Sequence, residues 1–68
     1  MWGYRIRSAR LRRGLSQTEL GALAGLSYYQ VYCIEAGKVI PRIDVVLRIA
    51  KALDVAAHLL IEEEQAAA

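Results

Sequence analysis

"SQTELGALAGLSYYQVYCIEAGK", residues 16–38, carries two helix-opening signals in close succession. In "SQTE" the Ser16 hydroxyl is placed to accept from the Glu19 backbone N–H, while the Glu19 side chain reaches back to Ser16. That reciprocal arrangement is a capping box. "SYYQ" repeats it with Ser27 and Gln30. Leu20, Leu23 and Ala24 supply the apolar side of the first helix, and Gly25 stops it. Val31 and Ile34 supply the apolar side of the second, which closes at Gly37.

Ala24-Gly25-Leu26 is all that separates the two helices, and the first of them has small residues, Gly21, Ala22 and Ala24, where a neighbour must approach closely. A tight glycine-containing turn between two capped helices is a helix-turn-helix arrangement. Outward from it, a helix is expected over about Tyr4 to Arg13, with Ile6, Ala9 and Arg10 on one face and Gly14 as its stop. After "KVIPR", the segment "IDVVLRIAKAL" places Ile43, Val46, Ile49, Ala50 and Leu53 at helical spacing. A last short helix covers "AAHLLIEE", with no good cap because Ala56 stands where Ser or Thr would help. The fold class is therefore all-α, a compact five-helix bundle. We expect one domain over residues 1–68, with a core of about 4–61 and an acidic, alanine-ended tail at 62–68.

Composition agrees with that class. A chain of 68 residues buries only about 60% of its unfolded surface, which leaves little room for an enclosed catalytic cavity. One proline and five glycines are too few for a turn-rich β-fold. The single Cys33 has no internal disulfide partner and fits a reducing compartment. The apolar runs fall far short of the ~20 residues that cross a bilayer, so a cytoplasmic protein is expected. Charge is unevenly spread. Residues 1–42 hold seven basic against two acidic side chains, +5, and residues 43–68 hold two basic against five acidic, −3. Such a division suits a polyanionic partner for the N-terminal part alone.

The stretch "GLSQTELGALAGLSYYQVYCIEAGKVIPRIDVVLRIAKALDV" resembles the Cro/repressor-type helix-turn-helix family, also called XRE or lambda-repressor-like. The residues that carry the resemblance are Gly14 to Gln17, Glu19-Leu20, Gly25, Ser27, Val31, Ile34-Glu35, Gly37-Lys38, Pro41 and Leu47 to Leu53. It covers residues 4 to 61. The resemblance implies double-stranded DNA as partner, a homodimer, and a role as a small transcriptional repressor or controller protein. An antitoxin-type or protein-interaction module using the tyrosine-rich face is the alternative.

Helical geometry locates the candidate reading surface. At about 100° per residue, Val31 and Ile34 facing the core send Tyr29, Cys33 and Ala36 outward and set Tyr28 and Tyr32 along one flank. In helix-turn-helix docking the second helix enters the major groove with its N-terminal residues at base edges. Tyr28, Tyr29, Tyr32 and Cys33 are the base-reading candidates. The resemblance adds Gln17, Ser27, Gln30, Lys38, Arg42 and Arg10 as phosphate-contact candidates, and pairs Arg10 with Glu35 as a structural ion pair. Tyrosines depart from the family's usual Gln, Asn and Arg readers. One hydroxyl discriminates bases less than a bidentate pair does, so DNA shape and half-site spacing should carry part of the preference.

His58 lacks partners at metal-ligand spacing, and Cys33 lacks an activating base for nucleophilic chemistry. No metal, cofactor, small-molecule ligand, membrane contact or enzymatic activity is expected. Leu59, Leu60 and Ile61 are too apolar for one face of a short helix. Core closure by Leu60 and Ile61 is the favoured reading, with a dimer contact beside Val55 or Val39 as the other. Trp2 is expected to pack over one end of the bundle.

Overall fold

A computed structural model describes residues 2–61, with only the backbone at Trp2, and contains α1 (Trp2–Arg12), α2 (Gln17–Ala24), α3 (Tyr28–Glu35) and α4 (Ile43–Leu53). Residues 57–61 form a further helical segment, α5. The tail at 62–68 and the Trp2 side chain lie outside the described residues. Five helices and no strand make up the described chain. The first helix begins earlier than Tyr4, since nothing at Trp2 or Gly3 breaks it.

The glycine stops act through backbone conformation. Gly14, Gly25 and Gly37 all adopt left-handed conformations, with φ of 70°, 71° and 75°, which cost L-residues about 1–2 kcal/mol. Asp54 takes the same conformation at the end of α4, φ 56°; a short polar side chain tolerates it better than most.

Ile6, Leu20, Val31, Val46, Ile49 and Leu53 are the fully buried side chains at the centre of the bundle. They come from α1, α2, α3 and α4, so each helix contributes one apolar stripe to a shared core. Leu60 is buried with them and Ile61 packs at the margin, while Leu59 stays exposed and its carbonyl accepts from Arg5, 3.1 Å. Ile43 is a correction to the periodic reading: it is exposed, because α4 begins beyond the edge of the core. The inward stripe starts instead at Val46.

Two glycines set how closely the helices meet. A Cβ on Gly21 would stand 2.5 Å from the Leu26 carbonyl oxygen, and one on Gly3 would collide with the backbone carbonyl of Glu35. Gly21 thereby lets the turn fold back against α2, and Gly3 lets α1 lie against the end of α3. Gly21→Ala is expected to destabilise the protein by about 1–3 kcal/mol through overpacking, exceeding alanine's helical advantage. A melting temperature at or above the parent's contradicts that close approach.

Candidate nucleic-acid interface

Both capping boxes form. At α2 the Glu19 N–H donates to Ser16 Oγ at 3.0 Å and the Ser16 N–H donates to Glu19 Oε1 at 2.8 Å. The backbone N–H of Ser16 first, and the Ser16 hydroxyl second, hold the Glu19 carboxyl below its ordinary value. At α3 the Gln30 N–H donates to Ser27 Oγ at 3.1 Å and the Ser27 N–H to Gln30 Oε1 at 2.8 Å. Capping consumes acceptors on Ser27 and Gln30 but leaves the hydroxyl proton and the carboxamide NH2 as donors. The two boxes fix where each helix starts, and so which way α3 turns its side chains.

Val31 and Ile34 point inward, at 1% and 4% exposure, and leave the tyrosines out: Tyr28 is 53% exposed, Tyr29 65% and Tyr32 38%. Their helical spacing brings the rings together. Tyr28 stacks on Tyr32 with centroids 6.3 Å apart and Tyr29 on Tyr32 at 6.2 Å, with interplanar angles of 21° and 27°. Lys38 Nζ lies 5.7 Å from the Tyr32 centroid, a cation–π approach. The result is a continuous, pre-ordered aromatic strip ending in a cation.

Cys33 does not belong to that strip. It is 8% exposed and lies in an apolar groove with Leu26, Ile34, Val39, Pro41 and Val45. The helical wheel placed it outward because it allowed for one buried layer only; the connection carrying Val39 and Pro41 folds over this side of α3 and supplies another. The neighbouring Cys33 thiol, chiefly through side-chain hydrogen bonding, raises the Tyr29 hydroxyl above its ordinary value.

Arg10 is committed inside the protein. Its Nε donates to Glu35 Oε2 at 2.7 Å, its NH2 to Glu35 Oε1 at 2.9 Å and its NH1 to the Leu15 carbonyl at 2.8 Å. At 7% exposure, with three of its five N–H donors engaged inside the protein, its first role is the internal ion pair. The hydrogen bond to Glu35 holds the guanidinium firmly charged. Gln17 Nε2 also donates to Glu35 Oε1, at 3.1 Å, so one carboxylate links α1, the start of α2 and the end of α3. The bond orients the Gln17 carboxamide and leaves its second N–H unused. Arg42 is exposed but bonded to Asp44, at 3.2 and 3.4 Å, which holds the Asp44 carboxyl below its ordinary value.

Arg48 was not singled out by sequence. From α4 its Nε donates to the Ala24 carbonyl at 2.9 Å and its NH2 to the Gly25 carbonyl at 2.7 Å. It thus ties down the open carbonyls at the end of α2, the turn on which the angle of α3 depends. No local pattern marks this role, since its partners lie far away in the sequence. No helix among the described residues is long and apolar enough to cross a membrane.

Two capped helices meeting at a glycine turn, the second baring a strip of side chains beside a lysine, define a helix-turn-helix module. The helix-turn-helix family model HTH_3 matches residues 6–60, and the chain belongs to that family. Family members of this Cro/repressor type are DNA-binding transcription regulators. Among solved structures, the chain is similar to the restriction-modification controller protein C.AhdI from Aeromonas hydrophila, at 36% identity and a TM-score of 0.85, over 87% of this chain and 89% of that one. It is also similar to the P22 c2 repressor, solved in complex with a synthetic operator: 28% identity, TM-score 0.83, 88% of this chain and 91% of that. A hypothetical transcription factor from Neisseria is 29% identical, with a TM-score of 0.85 over 97% of this chain and 78% of that. No curated protein matches significantly by sequence.

Proposed function

We propose that the protein binds double-stranded DNA sequence-specifically as a homodimer and acts in the cytoplasm as a small transcriptional repressor or controller protein. Each subunit lays α3 in a major groove, Tyr28, Tyr29 and Tyr32 facing the bases. Gln17, Ser27, Gln30 and Lys38 donate to phosphates on either strand, and Arg42 does so once it exchanges Asp44 for a phosphate. The observation that carries this reading is the stacked, exposed tyrosine strip on a doubly fixed α3. Rings held in place before binding lose little conformational entropy on contact. Each ring offers a flat apolar face to thymine methyls and a hydroxyl to a base or phosphate acceptor. The basic balance of residues 1–42 favours a polyanion. Two subunits are needed because one small groove contact binds weakly and selects poorly.

Selection of bound duplexes from a random DNA pool tests the proposal. The expected product is a two-fold symmetric site with half-sites about 34 Å apart or a multiple of it. Binding to that site should weaken steeply as salt rises. No enrichment at low salt overturns the reading in favour of a protein-interaction module, for which the tyrosine strip is also chemically suited.

A further inference from the structure

A cleft opens between α1, the start of α2 and α3, lined by Arg7, Gln17, Tyr28, Tyr32, Glu35 and Ala36. Two tyrosines of the strip form part of its wall, so an arginine from α1 stands at the edge of the surface that α3 presents. Arg7 is exposed. The carboxylate sharing its cleft is already taken by Arg10 and Gln17. Other cations near the turn and α3 are engaged: Lys38 over Tyr32, Arg42 with Asp44 and Arg48 with the end of α2. Among the described residues no hydrogen bond, ion pair or ring contact engages Arg7. It is a free guanidinium at the rim of an aromatic surface.

We propose that Arg7 is a further DNA-contact residue, binding a backbone phosphate beside the groove that Tyr28 and Tyr32 enter. The inference rests on the DNA-binding reading above and extends it beyond the helix-turn-helix pair to the first helix. A guanidinium matches phosphate geometry with two parallel N–H donors. With no intramolecular acceptor to give up, Arg7 meets a phosphate without breaking an existing bond. A contact of this kind adds affinity and fixes register but carries no base preference. Arg12, on the same helix, provides the contrast. It sits about 140° around the axis, in a different cleft with Tyr4, Arg13, Asp54 and Leu59, away from the tyrosines of α3.

Equilibrium binding to the selected duplex and to a random-sequence duplex, measured across a salt series, decides the matter. Arg7→Met should bind both duplexes about tenfold more weakly at low salt. Its plot of log affinity against log salt should be shallower by about 0.9 per bound subunit. Its selected site should be the parent's, and its melting temperature unchanged because no internal bond is lost. Arg7→Lys should restore most of the slope, and Arg12→Met should leave it close to the parent's. An Arg7→Met slope equal to the parent's overturns the inference, as does an equal loss in Arg12→Met, which would mark a general charge effect. A parent protein that binds neither duplex refutes the DNA reading itself, and this inference with it; a parent that binds while Arg7→Met binds equally well refutes the inference alone.

Discussion

Glu35→Ala is expected to remove about 3–5 kcal/mol of stability, the cost of leaving a buried charge without its partner. Glu35 accepts two bonds from Arg10 and one from Gln17, and both members of the ion pair are almost fully enclosed, with side chains 8% and 3% exposed. Its loss strands the guanidinium between α1 and α3 with only the Leu15 carbonyl as acceptor. Domains are stable by roughly 5–15 kcal/mol, and small ones tend to sit low in that range, so the variant should be close to unfolding at ambient temperature. Arg10→Met should behave similarly, leaving Glu35 with Gln17 alone. The double variant Arg10→Met, Glu35→Leu should recover much of the loss, because apolar replacement of a whole buried pair is often neutral or better. Melting curves of the three variants check this. Single variants that melt within a degree or two of the parent would show that the pair contributes nothing measurable.

Tyr29→Glu should have the opposite signature, an intact fold and lost DNA binding. Tyr29 is the most exposed ring of the strip and lies in the first turn of α3. A carboxylate there meets the positive end of the helix dipole, which favours it by about 0.3–1 kcal/mol. That gain offsets the lost contacts with Tyr32 and Cys33, and the melting temperature should move by only a few degrees. Toward DNA the same carboxylate is a like charge on the contact face, costing several kcal/mol. Affinity for the selected duplex should fall by at least about a hundredfold. Tyr29→Phe keeps the ring and should retain most of the affinity, so the pair of variants separates charge repulsion from loss of the hydroxyl. Full affinity in Tyr29→Glu would take this face away from the duplex.

Helix starts at α2 and α3 were legible because a capping box spans only three residues, and its bonds depend on nothing beyond the local chain. The inward side of α3 was legible too, since Val31 and Ile34 admit one orientation toward a core. That orientation left Tyr28, Tyr29 and Tyr32 outside. The Arg10–Glu35 pair rested on resemblance, because no local rule joins residues so far apart.

What the amino-acid order determined by itself was thus the set of helices, their stops and most of each apolar stripe, Leu23 and Ile43 excepted, since both are exposed: consequences of backbone bonding and side-chain periodicity within a few residues. Only the tertiary structure decided which polar groups distant in sequence meet. It closed the connection after α3 over Cys33, brought Arg48 to the end of α2, engaged Gln17 and withdrew Arg10 from solvent. It also left Arg7 open beside the tyrosines. These outcomes depend on how helices distant in sequence pack, where a glycine such as Gly3 or Gly21 sets the approach and the neighbouring backbone determines which side chains remain free.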